Sequence, residues 1–293
     1  MFGDGFTYRQ IDTAGARIHL AHGGSGPPLL LLHGYPQTHL MWHRLIPQLV
    51  TRFEVICPDL RGYGDSSKPP GASDHANYSK RAMAQDMVAV MTALGHRRFH
   101  VAGHDRGARV AHRMALDHPT AVERLCVMDI APTLHMFDHT DQAFATGYYH
   151  WFFLIQPDGL PERLIGHDGS YFLREKLRRW AAPGADFDPA VVDDYVRCFA
   201  TAEGIHASCE DYRAAAGIDL VHDRASRHQR LRCPVLVLWG DKGFVHRSYD
   251  VLAVWRDYAD DVRGQSVSSG HFLPEEAPDE VARALIPFLT ESE

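Results

Sequence analysis

Val101-Ala102-Gly103-His104-Asp105-Arg106-Gly107-Ala108-Arg109 is the stretch that decides how this chain folds. A strand from Phe99 to Ala102 runs into a turn of the pattern small-x-nucleophile-x-small, and helical sequence from Arg109 to Asp117 follows. Gly103 and Gly107 let the backbone crowd through a strained strand-to-helix bend that a Cβ would obstruct. The residue lifted at the apex is Asp105, where serine is the more usual occupant. A serine attacks carbonyl carbon, whereas a carboxylate is suited to displacing a leaving group from carbon and becoming an ester of the enzyme. The sequence therefore points away from esterase or lipase chemistry.

Outward from this turn, short apolar runs alternate with helical segments. Ile18 to Ala21 reads as an early strand, and the turn Gly23-Gly24-Ser25-Gly26-Pro27-Pro28 precedes Leu29 to Leu32, a run suited to a buried parallel strand. His33-Gly34-Tyr35-Pro36 closes it. A helix over about Met41 to Thr51 leads to a strand at Phe53 to Cys57, and an amphipathic helix over Ser79 to Leu94 delivers the chain to the elbow strand. Leu125 to Asp129 and Val235 to Trp239 are further buried strands, and Gln265 to Val267 is the last. This alternation predicts an α/β fold with a mostly parallel, doubly wound sheet. Between Pro132 and about Leu220 it lapses into aromatic-rich helical sequence such as Tyr148-Tyr149-His150-Trp151-Phe152-Phe153. The expected organisation is a core of residues 1–131 and 221–293 with a helical cap, 132–220, roofing the carboxyl ends of the strands, where open parallel sheets bind ligands.

Composition narrows the function classes. Across 293 residues, 45% hydrophobic and 23% charged residues are those of a soluble globular protein, and no apolar run is long enough to cross a bilayer. A net charge of −7 without a basic stripe argues against a nucleic-acid surface. The first residues lack the basic and apolar segments of an export signal, and Cys57, Cys126, Cys198, Cys209 and Cys233 have neither zinc-ligand nor redox spacing. Reduced thiols in a cytoplasmic protein are the expectation.

To make and then hydrolyse an aspartyl ester, a chain needs a nucleophile, a base for water and an acid that orients the base. Asp105 is the candidate nucleophile. His271, in Ser269-Gly270-His271-Phe272, follows the last strand and precedes a closing helix (Pro274 to Leu289), the position from which a loop histidine reaches the elbow as general base. The acid is either Asp129, which ends the strand after the elbow helix, or Asp241, in Trp239-Gly240-Asp241-Lys242-Gly243; glycine occupies the offset after Trp-Gly where an acid is often found, which favours Asp129. Backbone N–H groups of Tyr35 and Arg106 stand where an oxyanion hole is expected.

Arg106 and Arg109 add fixed positive charge beside the nucleophile, and a guanidinium matches a carboxylate with a planar fork of donors. A small 2-haloacid, held by its carboxylate with Cα aimed at Asp105, is the substrate this implies. Tryptophan in place of Arg106 would suit a neutral haloalkane.

Gly103-His104-Asp105-Arg106-Gly107-Ala108-Arg109, His33-Gly34-Tyr35-Pro36-Gln37-Thr38, His150-Trp151, Cys209-Glu210-Asp211-Tyr212-Arg213-Ala214 and Gly270-His271-Phe272-Leu273-Pro274-Glu275-Glu276 together resemble the fluoroacetate dehalogenases, a branch of the α/β-hydrolases. The motifs run from residue 33 to residue 276. The resemblance implies an α/β-hydrolase fold with a cap and hydrolysis of fluoroacetate to glycolate and fluoride. It further implies a halide site of His150, Trp151 and Tyr212, no metal or organic cofactor, and a homodimer acting on a small haloacid and water rather than on nucleic acid or membrane. Tyr35 departs from the phenylalanine that relatives often carry after His-Gly. An epoxide hydrolase using the same three residues, with Tyr148, Tyr149, Tyr171 or Tyr212 activating the epoxide oxygen, is the alternative. A non-catalytic receptor for a small carboxylate is disfavoured because Asp105, Asp129 and His271 are all present.

Overall fold

In a computed structural model that describes residues 2, 3 and 5–291, eight strands form one sheet. They are β1 (Phe6–Asp12), β2 (Arg17–Gly24), β3 (Pro28–Leu32), β4 (Glu54–Pro58), β5 (Phe99–His104), β6 (Val122–Met128), β7 (Val235–Gly240) and β8 (Val262–Val267). Their order across the sheet is β1-β2-β4-β3-β5-β6-β7-β8. β1 and β2 pair antiparallel, β2 joins β4 antiparallel, and every pairing from β4 through β8 is parallel. Parallel strands covered on both faces need unbroken apolar sequence. Leu29 to Leu32 and all six residues of β5 are buried accordingly.

The parallel register sets the site. Leu32 lies opposite Gly103, His104 opposite Met128, Met128 opposite Leu238 and Gly240 opposite Val267, so the segments beginning at His33, Asp105, Asp129, Asp241 and Ser268 all leave the same edge of the sheet. Helices Lys80–Ala93 and Arg106–Asp117 pack against one another beside the sheet. The first is capped by Ser79, whose hydroxyl accepts the Ala82 N–H, the usual device for satisfying a first-turn donor.

Between β6 and β7 lie eight helices, from Thr133–Asp138 to Ile218–Ala225. Their starts are written in the sequence: Asp141, Asp168, Asp188 and Thr201 each accept a first-turn N–H. The helical insertion continues through the position expected to end it, because residue 220 falls inside Ile218–Ala225.

Two expectations need correction, and one strand, β1, had no forecast. The helix expected over Met41 to Thr51 is a 3-10 turn, His39–Trp42, followed by a separate short helix, Ile46–Leu49, with Pro47 in its first turn where a missing N–H costs nothing. The closing helix divides at Ala277 (φ −137°) into Leu273–Glu276 and Pro278–Thr290, since the residue before a proline is pushed out of the helical region.

Candidate active site

Asp105 stands between β5 and the helix Arg106–Asp117 with φ 47° and ψ −116°, a conformation few non-glycine residues adopt. The strain sits on Asp105 itself, and the neighbouring glycines supply room. A Cβ on Gly103 would come within 2.7 Å of Ala108 Cα, one on Gly107 would collide with the Leu32 and His33 carbonyls, and one on Gly34 would lie 2.5 Å from Asp105 Cβ. The residue is 8% exposed.

The Tyr35 N–H donates to Asp105 Oδ1 at 2.9 Å, leaving Oδ2 facing His271 Nε2 at 3.8 Å. Tyr35 N is itself held in place by His33: Leu60 N–H donates to His33 Nε2, so the proton lies on Nδ1, which donates to the Gly34 carbonyl, each at 3.0 Å. Arg106 N opens the helix, and a first-turn N–H has no acceptor within its own helix.

His271 Nδ1 donates to Asp129 Oδ2 at 2.6 Å, and Gly240 N–H donates to Asp129 Oδ1 at 3.1 Å. Asp129 takes φ 52° to turn back from the end of β6. Of the two acids left open by the sequence, Asp129 is the one joined to His271, while Asp241 is exposed with its N–H spent on the Val267 carbonyl. Because a carboxylate can only accept here, Nδ1 carries the proton and Nε2 keeps its lone pair toward Asp105. Burial disfavours an imidazolium at His271, but the hydrogen bond and charge of Asp129 and the charge of Asp105 outweigh it and raise its pKa. For Asp105 burial pushes upward, and its interactions with His271 and both arginines overcome it, so the carboxylate titrates below its ordinary value.

Three contacts that sequence reasoning missed fix the histidine loop. His104 Nε2 donates to the His271 carbonyl at 2.7 Å, with the two rings 4.6 Å apart. Burial, aided by His271, pushes His104 down to about 3, so it is a neutral prop. The His271 N–H donates to the Trp180 carbonyl in the cap at 2.8 Å, and Glu276 accepts from Gly270, Phe272 and Ala182 N–H groups. Nothing in the local pattern distinguished His104 or Trp180 from core residues; Glu276 was visible only as the last residue of a family motif.

Arg106 and Arg109 are both buried, at 0% and 3% exposed, but they differ in partners. Arg106 makes a bidentate pair with Asp211 (Nε to Oδ2 and Nη2 to Oδ1, both 2.8 Å) and also donates to the Asp211 carbonyl. Asp211 further accepts from Tyr63 Oη at 2.6 Å and from Lys80 Nζ. It was visible only as part of a family motif, and it ties the cap helix Ala202–Ala216 to the elbow. Arg109 donates from Nη1 to the Ala131 carbonyl and Thr133 Oγ1, both at 3.0 Å, and from Nη2 to Met136 Sδ at 3.2 Å. It makes no ion pair within 4 Å among the described residues. Burial and the charge of Arg106 lower its pKa accordingly. Two guanidinium donors, Arg106 Nη1 and Arg109 Nε, are buried without a partner.

The Tyr212 hydroxyl, the Tyr35 hydroxyl and His150 Nδ1 are also buried without partners, as is His271 Nε2. The Tyr212 ring lies under the Arg106 guanidinium (4.1 Å) and Trp151 under that of Arg109 (4.7 Å). Tyr212, Trp151 and His150 neighbour one another, with ring centroids 5.5 Å apart for His150 and Tyr212 and 6.4 Å for Trp151 and Tyr212. Burial, then the positive charges nearby, drives His150 well below its ordinary pKa, so it is neutral. Of the four cap tyrosines considered, Tyr149 and Tyr171 are exposed, while Tyr148 and Tyr212 are buried. Buried polar atoms are normally hydrogen-bonded, so such a cluster around one carboxylate marks a site built for a polar guest. The one His/Asp group with metal-ligand spacing among the described residues, His19, His39 and Asp59, lies elsewhere, and Asp59 is already engaged by His39 and the Asp65 N–H.

A carboxylate on an elbow, a loop histidine, an acid behind it and a helical insertion after β6 define a hydrolase architecture. Residues 27–278 match the family model described as alpha/beta hydrolase fold, and the chain belongs to that family. It is 46% identical over 290 residues to the fluoroacetate dehalogenase of Burkholderia sp, covering 99% of this chain and 95% of that one. It is 34% identical to the soluble epoxide hydrolase of Corynebacterium sp. (strain C12), covering 96% of each. A crystal structure from Nostoc sp PCC 7120, named only for its alpha/beta hydrolase class, superposes with a TM-score of 0.97 at 58% identity over 98% of this chain and 99% of the other. The chain is thus a hydrolase. Among the described residues no helix is long and apolar enough to cross a membrane.

Proposed function

We propose that this hydrolase removes halide from small 2-haloacids, converting fluoroacetate and water to glycolate, fluoride and a proton. The observation that carries the proposal is the buried guanidinium of Arg109, without a carboxylate partner, next to the free Nη1 of Arg106 and the nucleophile candidate. An unpaired buried cation is costly, and a substrate carboxylate would compensate it. The 46% identity to a fluoroacetate dehalogenase over nearly the whole chain agrees with this.

In this scheme Arg106 and Arg109 hold the carboxylate while Asp105 Oδ2 forms a bond to Cα and the C–F bond breaks, its electron pair leaving with fluoride. His150, Trp151 and Tyr212 offer N–H and O–H donors that strengthen as charge develops on the halogen, which is where binding energy lowers a barrier. His271 Nε2 then takes a proton from water as the water oxygen attacks the Asp105 carbonyl carbon. The resulting oxyanion, derived from Oδ1, meets the Tyr35 and Arg106 N–H groups. Collapse expels the glycolate oxygen, which takes the proton from His271; Asp105 is left as the carboxylic acid with the second proton of the water and releases it to solvent to regenerate the carboxylate. Asp129 keeps the imidazole oriented throughout.

The epoxide-hydrolase reading is favoured by the unpartnered Tyr212 hydroxyl and the 34% identical relative. The discriminating experiment offers fluoroacetate, chloroacetate and styrene oxide to the purified protein. Halide and glycolate from the acids are expected; diol from the epoxide with no halide from either acid would reject the proposal.

A further inference from the structure

Between the cap helix Gly169–Trp180 and the segment Lys242–Arg247 opens a cavity of about 380 Å³ that reaches His271. In a chain of net charge −7, this cavity has no acidic residue in its lining and four cations: Lys176, Arg179, Lys242 and Arg247. Arg179 is partly spent on Glu175, at 3.1 Å. Lys176, Lys242 and Arg247 form no ion pair within 4 Å among the described residues. Lys242 Nζ reaches only Ser268 Oγ, and Arg247 Nη1 reaches the Lys242 carbonyl.

Lys176 is the telling member. Its residue is 2% exposed, and Nζ sits 3.8 Å from the Tyr149 ring centre and 5.1 Å from that of Trp180, so aromatic faces replace the acid that normally accompanies a buried ammonium. Burial, with Arg179 nearby, pushes its pKa down to about 7, as befits an amine that no carboxylate compensates. Trp180, against which it packs, also lies tilted against His150 and edge-on to His271, so the cage adjoins the candidate active site.

We infer that this cavity is an outer anion-binding station, selective for small carboxylates, at which substrate is captured before it passes to Arg106 and Arg109. The inference rests on the haloacid reading of the inner site. A cleft lined by one sign of charge raises the local concentration of its counter-ion and the rate of capture. It is a different set of donors from the inner pair, so the two can be emptied separately.

The test is a ¹⁹F NMR titration of fluoroacetate into the Asp105→Asn protein, alone and with Lys242→Gln and Arg247→Gln added. Two classes of bound fluoroacetate are expected, the weaker disappearing in the charge-neutralised protein while the tighter persists. In the otherwise native enzyme the same two substitutions, both on exposed side chains, are expected to raise KM about fivefold with kcat unchanged. A single class of bound ligand, or two classes that both survive neutralisation, overturns the station. Fluoride release by the native enzyme is read separately: if none appears, the haloacid reading fails, and the titration still reports whether the outer cations hold a carboxylate.

Discussion

Replacing each arginine with methionine should have very unequal effects on stability and similar effects on turnover. Arg106 sits in a buried, bidentate pair with Asp211, and its loss leaves a buried carboxylate with Lys80 as its remaining cation. Breaking a buried pair from one side costs about 3–5 kcal/mol, which in a domain larger than 200 residues corresponds to a fall in Tm of about 10 °C. Arg109 has three hydrogen bonds to neutral acceptors but no acid, so methionine removes an uncompensated charge along with those bonds. The two effects nearly cancel, and stability should stay within about 1 kcal/mol of the native protein. Each variant also loses a charge-assisted contact to the substrate carboxylate, worth about 1.5–3 kcal/mol, or about 10- to 100-fold in kcat/KM. Thermal unfolding followed by intrinsic fluorescence and fluoride release by electrode are the two assays. Equal destabilisation by Arg106→Met and Arg109→Met, or undiminished haloacetate turnover in Arg109→Met, would refute the division of labour between the two residues.

Gly34→Ala should lower kcat about 100-fold or more while the protein still folds, because the new Cβ, 2.5 Å from Asp105 Cβ, displaces the Tyr35 N–H; steady-state kinetics and circular dichroism check the two halves. As a base His271 must be neutral, and Asp129 raises its pKa, so turnover should climb with pH through a midpoint above 6.5, and Asp129→Asn should move that midpoint down. The same raised pKa makes the His271–Asp129 pair stabilising at low pH, an effect lost as pH rises through the folded-state value. Glu275 is buried, accepting from Tyr195 and Gln37, and burial pushes it up to about 8. The unfolded chain releases this proton near the ordinary 4.5, so the folded form binds more protons between about 4.5 and 8 and stability should fall as pH rises across that window. Glu275→Gln should flatten that slope and gain about 2 kcal/mol at pH 8 in denaturant unfolding.

Much of this organisation could be read from the chain because the parallel strands are continuous apolar runs and the elbow carries its own glycine punctuation. Asp105 and Asp129 each follow such a strand, so finding those strands nearly finds their place in the site, whereas His271 follows β8, an edge strand of largely polar, mostly unburied residues. β1 escaped because Phe6–Asp12 is mostly exposed at a sheet edge and lacks an apolar run. The proline-divided helices were drawn too long because hydrophobic periodicity continues across Pro47 and Pro278 although the hydrogen-bond ladder does not. Asp211 was beyond local reasoning for a different reason: its partner Arg106 lies 105 residues earlier, and only the docking of the cap brings them together. His104 reads as one more buried strand residue until its Nε2 is seen to hold the His271 carbonyl.

Whether Asp105 becomes an ester is decided most directly by a single turnover of fluoroacetate in ¹⁸O-water with enzyme in large excess, followed by mass analysis of the peptide containing Asp105 and of the glycolate. Attack of water on the Asp105 carbonyl predicts ¹⁸O in the carboxylate and none in the first glycolate released. Label in the glycolate with an unlabelled Asp105 would mean that water attacks Cα directly, and the covalent account would be wrong.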